Sequence, residues 1–202
     1  MKKWILLVMI VFTTIVLIIE TKMNIDRQNE PNHLTFAANS IPNCYISLYK
    51  QAAEKYEISW KLLAAVHRVE TIFSTMDPMI SPVGAVGHFQ FMPRTWVGWK
   101  YPGSDLGEIQ DETDITDVDI IAEFGGYGID ASGTGKADPF NITDAVHAAA
   151  KYLADHGASN NNTNAALFAY NHSQIYVDEV LYFYNLYKEN FEAKDMSINC
   201  FE

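Results

Sequence analysis

The 202-residue sequence contains only two cysteines, and its acidic residues outnumber its basic ones by 25 to 14. So few cysteines exclude a disulfide-dense scaffold and a thiolate metal cluster. The net charge of −11 disfavours binding to nucleic acid, so nucleic acid is not expected as a partner. The sequence also lacks internal repeats, strand-like alternation and histidines at metal-ligand spacing. These absences favour a mostly α protein.

The residues that are present predict one globular domain with an appendage, because 49% are hydrophobic and 13% aromatic. Lys2 and Lys3 precede an apolar run that ends at Glu20. This pattern predicts a signal anchor over residues 1–20, a polar linker over 21–40 and the domain over 41–202. The domain would then lie outside a cell membrane crossed once by the anchor. The alternative is a secreted protein, released by cleavage after Ala37.

The two cysteines, Cys44 and Cys200, lie at opposite ends of the predicted domain. In an extracytoplasmic protein such a pair is a candidate disulfide that joins the two termini. Two separate thiols remain the alternative, since sequence spacing alone cannot establish contact.

Helical periodicity is clear in "WKLLAAVHRVETIF", residues 60–73, where Ser59 is the candidate N-cap. A second strong helix is predicted from Asn141 to a stop at Gly157. Shorter helical patterns occupy residues 45–56, residues from 93 onward, and the two sides of "NHS" at 171–173. No comparable pattern predicts a strand.

Glu70 directly follows the apolar stripe of the helix over 60–73 and lies near its C-terminal end. If it faces a cleft, burial would raise its pKa and make it a usable general acid near neutral pH. The alternatives are that it caps a neighbouring helix or pairs with Arg68 or His67 on the surface. A two-carboxylate mechanism would need a partner acid, and Asp77 is an unconvincing one because Pro78 interrupts the helix.

Two further segments supply groups that suit a sugar. "SPVGAVGHFQFMP", residues 81–93, combines glycines that permit close backbone approach with the amide of Gln90. "AYNHS", residues 169–173, adds the phenol of Tyr170 and the amide of Asn171. An acid, amides and aromatic rings suit a neutral ligand that bears hydroxyl and acetamide groups, such as a polysaccharide.

In these segments the sequence resembles the lytic transglycosylases with a lysozyme-like domain. Specifically, it resembles the branch typified by the soluble fragment of membrane-bound lytic transglycosylase B and its Gram-positive relatives. The likeness covers residues 58–181 through three ordered blocks, "VET", "SPVGAVGHFQFMP" and "AYNHSQIYVDEVL". It implies a lysozyme-like helical domain of the goose-type or transglycosylase kind.

The resemblance also implies an activity: cleavage of the β-1,4 bond between N-acetylmuramic acid and N-acetylglucosamine in peptidoglycan, with a 1,6-anhydromuramoyl product. Glu70 would be the single catalytic acid and then the base, with no cofactor required, and Tyr170 and Asn171 would hold both the sugar and Glu70. The implied substrate-binding residues are Gly87, Gln90, Phe91, Tyr170 and Asn171. The alternatives are a goose-type muramidase that uses water and a non-catalytic wall-binding module.

"DASGTGKADPFNITD", residues 130–144, resembles the start of an EF-hand calcium loop, with oxygen side chains at positions one, three and five and a glycine at six. Members of the same family carry a similar loop closed by an aspartate at position fifteen. The implied ligands are Asp130, Ser132, Thr134, the carbonyl of Lys136, and Asp144. The alternative is an acidic turn in which Asp138 or Thr143 caps the next helix.

Overall fold

The computed structural model describes residues 36–109, 113–195 and 200, which belong to one compact unit that begins at Phe36. The predicted signal anchor and most of the linker lie outside the described residues. Within the described part of the chain, no helix is long and apolar enough to cross a membrane. The elements are β1 (Ser40–Pro42), α1 (Asn43–Lys55), α2 (Trp60–Thr71), α3 (Pro93–Val97), α4 (Val118–Phe124), α5 (Ile142–Asp155), α6 (Thr163–Tyr170), α7 (Gln174–Glu189) and β2 (Glu192–Lys194).

Helix α2 is the centre of the fold. Five consecutive residues, Leu62 to Val66, are buried, so this part of the helix has no solvent-facing side. Helices α1 and α7 pack against it, and α5 packs against α1 and α6. The predicted mostly helical architecture is confirmed.

Helix α5 begins and ends where the sequence predicted. The side chain of Asn141 accepts hydrogen bonds from the backbone N–H groups of Thr143 and Asp144, which are otherwise unsatisfied at a helix start. Gly157 follows the helix with a φ of 116°, which glycine adopts readily. The N-cap is therefore Asn141, and the alternative caps Asp138 and Thr143 do not take this role.

The sequence predicts no strand, yet two short strands, one near each end of the domain, pair with each other. Strands β1 and β2 pair in parallel, with Ser40 opposite Glu192. At three residues each, they are too short for alternation to be visible in the sequence. Next to them Cys44 and Cys200 form a disulfide with Cα atoms 6.3 Å apart, which confirms the predicted bridge between the termini.

Candidate active site

Helix α2 ends two residues earlier than its periodicity predicts. Its last residue is Thr71, and Ile72, Phe73 and Ser74 follow in left-handed conformation with φ of 49°, 59° and 65°. Each such non-glycine residue costs on the order of 1–3 kcal/mol, so packing must hold the turn in place. The buried ring of Phe73 supplies part of that packing. The turn redirects the chain immediately after Glu70.

Glu70 is partly buried in the last turn of α2. Burial raises the pKa of Glu70 from 4.5 to about 8, and the nearby negative charge of Glu179 adds to this rise. The Tyr176 hydroxyl opposes it, because it donates a hydrogen bond to Glu70 Oε1 at 2.7 Å and favours the carboxylate. Near neutral pH, Glu70 therefore carries a proton that it can give to a ligand.

The groups proposed as simpler partners of Glu70 are engaged elsewhere. The guanidinium of Arg68 donates to the backbone carbonyls of residues 36 and 37 and lies 4.4 Å from the ring of Phe183. His67 is fully buried within a different hydrogen-bonded group. Asp77 is exposed and lies beyond the left-handed turn that follows α2, so it is not on the same helix as Glu70.

The glycine-containing segment forms a compact loop, residues 79–92, which we call the cleft loop. Val86 and Phe91 exchange backbone hydrogen bonds of 2.9 and 3.0 Å across it. At Gly87 a side chain is impossible, because a Cβ there would lie 2.0 Å from the carbonyl oxygen of Pro139. The amide of Gln90 donates to the carbonyl of Gly87 at 2.8 Å, which fixes the tip of the loop.

A cavity of about 550 Å³ opens beside the cleft loop. Three of the residues predicted to bind substrate line it, and aromatic rings that the sequence did not single out complete its walls. Such rings offer flat apolar faces to a sugar. The residues that define the site are Gln90, Phe91, Trp99, Tyr152, Tyr170 and His172.

The two remaining predicted binding residues lie outside this cavity wall. Gly87 supports the cleft loop from behind through its contact with Pro139, and Asn171 is exposed at the end of α6. The hydroxyl of Tyr170 was expected to hold Glu70, but it donates to the carbonyl of Phe89 at 2.8 Å.

Tyr176 is the partner of Glu70 that the sequence did not reveal. It lies on the first turn of α7 and takes the position next to Glu70 that was expected for Tyr170. The rings of Tyr170 and Tyr176 are parallel with centroids 6.3 Å apart, so Tyr170 joins the cavity to the acid. The only available signal was the position of Tyr176 inside the "AYNHSQIYVDEVL" block.

The loop over residues 130–144 gathers four oxygen atoms. Ser132 Oγ lies 3.4 Å from both Asp130 Oδ1 and Thr134 Oγ1, and Thr134 Oγ1 lies 3.2 Å from the carbonyl oxygen of Lys136. Neighbouring oxygens around one Ca²⁺ at about 2.3–2.6 Å are separated by about 3.4 Å in octahedral arrangement. The three separations within the loop are close to this value.

The fifth predicted ligand, Asp144, is fully buried and differently engaged. Its Oδ1 accepts from the backbone N–H groups of Ala131 and Ser132 at 2.9 and 2.8 Å, and its Oδ2 accepts from that of Asp138 at 3.0 Å. Asp144 therefore closes the loop by hydrogen bonds. Among the described residues no group of three His, Cys, Asp or Glu side chains could hold a metal ion.

Comparison with protein families gives a match over residues 47–181 to the model of the transglycosylase SLT domain. The match covers more than half of the chain and includes Glu70, the cleft loop and Tyr176. The chain belongs to the transglycosylase SLT domain family. No curated protein and no solved structure matches the chain.

As a member of this family the protein is a peptidoglycan lytic transglycosylase, and glycan strands of peptidoglycan are its substrate. The matched region contains the whole described wall of the cavity and leaves out both strands and both cysteines.

Proposed function

We propose that this transglycosylase cleaves the β-1,4 bond between N-acetylmuramic acid and N-acetylglucosamine and leaves a 1,6-anhydromuramoyl end. Glu70 would act first as the acid and then as the base. The observation that carries the proposal is the environment of Glu70. Its side chain is partly buried, burial raises its pKa to about 8, and Tyr176 and Tyr170 link it to the cavity beside the cleft loop.

In the first step, the Glu70 proton passes to the glycosidic oxygen, and the bond from that oxygen to C1 of the muramoyl sugar breaks. The N-acetylglucosamine unit leaves as an alcohol, and positive charge develops at C1. Because the Tyr176 hydroxyl occupies Oε1, the second oxygen of Glu70 is the one that carries the transferred proton. The hydrogen bond from Tyr176 then stabilises the carboxylate that results.

In the second step, the 6-hydroxyl oxygen of the same muramoyl sugar attacks C1, and the Glu70 carboxylate accepts the proton that this hydroxyl loses. The new C1–O6 bond closes the anhydro ring, and Glu70 returns to its protonated form. Water is not consumed. The attacking hydroxyl belongs to the bound sugar and has a high effective concentration, which favours it over water.

The experiment that tests the proposal is Glu70→Gln, assayed on purified peptidoglycan. Glutamine keeps the volume of the side chain and removes the transferable proton, so activity should fall a hundredfold or more. Full activity in this variant would exclude the mechanism. Released muropeptides should be lighter by one water than hydrolysed ones, which mass spectrometry measures.

A goose-type muramidase would instead need a base to activate water, and Glu179 is the carboxylate whose charge acts on Glu70. Glu179 is exposed on α7, one turn beyond Tyr176. In the proposed scheme Glu179→Gln keeps its activity and its anhydro product. Loss of activity in this variant, together with reducing-end products from the unmodified enzyme, would establish hydrolysis.

We also propose a cellular location for the protein and a branch of the family to which it belongs. The apolar segment before Glu20 supports an uncleaved anchor in the cell membrane, and the Cys44–Cys200 disulfide supports an oxidising, extracytoplasmic setting for the domain. A mature N-terminus near Ala38, found in the culture medium, would show the secreted alternative. The cleft-loop sequence and the loop over residues 130–144 support assignment to the transglycosylase B-like branch of Gram-positive type.

We also propose a weak structural calcium site in the loop over residues 130–144. The support is a series of three oxygen–oxygen contacts of 3.2–3.4 Å that joins Asp130, Ser132, Thr134 and the carbonyl of Lys136. Only one of these groups is a carboxylate, and fewer charges mean weaker binding. The ion would have no part in the chemistry at Glu70.

A further inference from the structure

A line of hydrogen bonds crosses the interior from α1 to the residue that precedes Asn141, and it includes two histidines to which the sequence assigned no function. The Tyr49 hydroxyl lies 2.6 Å from His67 Nδ1, and His67 Nε2 lies 2.8 Å from Ser74 Oγ. Ser74 Oγ lies 2.6 Å from His88 Nδ1, and His88 Nε2 lies 2.8 Å from the carbonyl oxygen of Phe140. We call these five residues the His–Ser–His chain.

The end of the His–Ser–His chain determines the direction of every bond in it. The carbonyl of Phe140 can only accept, so His88 donates from Nε2 and must accept at Nδ1 from the hydroxyl of Ser74. Ser74 Oγ then accepts from His67 Nε2, and His67 Nδ1 accepts from Tyr49. This single arrangement satisfies all the groups with both imidazoles neutral and protonated on Nε2.

The surroundings of the His–Ser–His chain agree with neutral rings. His67 is fully buried, and the ring of Phe89 stacks on it at 4.7 Å. Burial lowers the pKa of His67 and of His88. The Tyr45 hydroxyl forms a further hydrogen bond with Ser74.

The His–Ser–His chain surrounds the end of α2 on which Glu70 lies. His67 lies on α2, just under one helical turn before Glu70. Ser74 lies on the left-handed turn that follows the helix. Between them, Thr71 donates its hydroxyl to the carbonyl of His88 at 2.9 Å and accepts from the backbone N–H of Ser74 at 3.1 Å. The bonds from Thr71 and Ser74 to His88 connect the helix end to the cleft loop.

We propose that Ser74 and His88 are positioning residues that hold the end of α2, and with it Glu70, in register with the cleft loop that carries Gln90. The inference rests on the proposed role of Glu70 as the acid. The proposal also explains the unfavourable backbone of the left-handed turn, because this turn places the Ser74 hydroxyl between the two imidazoles. The group that moves the proton remains Glu70.

A serine hydroxyl bound to a histidine is also the arrangement of a nucleophile, but the backbone here does not support acyl transfer. The backbone N–H groups of Ser74, Thr75 and Met76 all donate to Thr71, through its side chain or its carbonyl. They are therefore not available to stabilise an oxyanion. The hydroxyl of Ser74 serves geometry.

The test uses three variants of the full chain. Ser74→Ala removes the central hydroxyl, and Ser74→Gly removes the same hydroxyl while relieving the backbone, because glycine adopts a φ of 65° without a Cβ clash. Thr75→Ala is the matched control, since the Thr75 hydroxyl donates only to carbonyls at the helix end and lies outside the His–Ser–His chain.

With soluble glycan strands as substrate, kcat should fall roughly ten- to a hundredfold in both Ser74 variants, because a misplaced acid loses near-attack geometry. KM should stay within roughly threefold of its original value, since the cavity walls are untouched. Thr75→Ala should keep the original kcat. A thermal midpoint in Ser74→Gly at or above that of Ser74→Ala, with kcat equally low, would separate positioning from stability.

Imidazole ¹⁵N spectra test the His–Ser–His chain without any substrate. In the unmodified protein at neutral pH, His67 and His88 should both carry a proton on Nε2 and none on Nδ1, and Ser74→Ala should shift the Nδ1 signal of His88. A proton on either Nδ1 would overturn the assignment. Unchanged kcat in both Ser74 variants, or an equal loss in Thr75→Ala, would overturn the positioning role.

These arms separate the two proposals. Full activity in Glu70→Gln would remove the proposed function and the positioning role that depends on it, whereas the ¹⁵N result would still stand for the His–Ser–His chain itself. Activity lost in Glu70→Gln but retained in both Ser74 variants would leave the function intact and refute only the positioning role.

Discussion

Glu70 and Asp144 are two carboxylates at opposite ends of helices, the first partly buried and the second fully buried. Glu70 lies in the last turn of α2, where the helix dipole presents partial negative charge. This charge disfavours the negatively charged form of a carboxyl group. Asp144 lies in the first turn of α5, where unsatisfied N–H groups and partial positive charge favour an anion. The same functional group thus meets opposite electrostatic surroundings.

Their hydrogen-bond partners differ in the same sense. Glu70 accepts one bond from a tyrosine hydroxyl, whereas Asp144 accepts three from backbone N–H groups. A buried carboxylate with few donors keeps its proton and becomes an acid, but one with many donors fastens the backbone. The donors around a buried carboxylate, in addition to its burial, therefore decide whether it acts as an acid or holds the backbone in place.

The largest expected effect on stability is the loss of the Asp144 carboxylate. In Asp144→Asn the amide NH2 replaces one of the two acceptor oxygens, so at least one buried N–H loses its partner. The free energy of unfolding should fall by about 2–4 kcal/mol, as when a charge-assisted bond is lost and a donor is left unsatisfied. Urea denaturation measures the change.

The matched control is Asp155→Asn at the other end of α5, where the carboxylate is half-exposed and pairs with Lys151 at 3.4 Å. Such a surface pair contributes little, so this variant should stay within about 0.5 kcal/mol of the unmodified protein. Equal stability losses at the two positions would refute the conclusion that the hydrogen bonds of Asp144 stabilise this loop.

The same carboxylate-to-amide change at Glu70 should have the opposite sign. Burial raises the pKa of Glu70 to about 8 in the folded protein, so between pH 4.5 and 8 the folded state binds more protons than the unfolded one. Stability is therefore fully present below pH 4.5 and decreases as pH rises through this window. Glu70→Gln removes that loss and should raise the free energy of unfolding by about 3 kcal/mol at pH 7.

Urea denaturation at pH 4.5, 6 and 8 tests this expectation, with the unmodified protein measured beside the variant. The two proteins should have similar stability at pH 4.5 and diverge progressively toward pH 8. A constant difference across the three values would contradict the raised pKa of Glu70, whatever the activity of the variant.

The sequence predicted those parts of the site that depend on local pattern. The apolar stripe predicts that Glu70 ends a buried helix, Asn141 and Gly157 limit α5, and the glycines indicate a tight loop beside the acid. Each of these inferences needs only residues within a few positions of one another. The comparisons confirm the family, while the roles of individual site residues stay predictions.

What the sequence could not show are contacts between distant segments. Tyr176 reaches Glu70 across 106 positions, and His88 reaches the carbonyl of Phe140 across 52. The left-handed turn after Thr71 was also hidden, because Ile72 occupies a conformation for which the local signal is glycine. Tertiary hydrogen bonds and packing, and not propensity, determine this backbone.

A smaller effect should appear in the pH dependence of activity. The hydrogen bond from Tyr176 favours ionised Glu70, so Tyr176→Phe should raise the pKa of Glu70 and move the alkaline limb of the activity profile to higher pH. The charge of Glu179 favours the protonated form, so Glu179→Gln should move that limb to lower pH. Initial rates from pH 5 to 10 on soluble glycan strands measure both shifts.

The opposite directions of the two shifts make the pair informative. A general change in active-site packing would move the alkaline limb in the same direction in both variants, or it would lower the rate without moving the limb in either variant. Shifts in the same direction would mean that the alkaline limb belongs to a group other than Glu70. The acid would then have to be sought among the other residues of the cavity.

The smallest expected effect is that of calcium on the loop that Asp144 closes. Because the backbone N–H groups of Ala131, Ser132 and Asp138 already fasten the loop to Asp144, the ion should add only modestly to its order. The melting temperature should rise with the logarithm of the calcium concentration above Kd, and Asp130→Ala, which removes the one carboxylate among the four converging oxygens, should abolish this rise. Thermal unfolding in excess calcium and in chelator, for the unmodified protein and the variant, measures it. Identical melting temperatures under both conditions in the unmodified protein would show that hydrogen bonds alone hold this loop, and that the buried aspartate has taken the place of the ion.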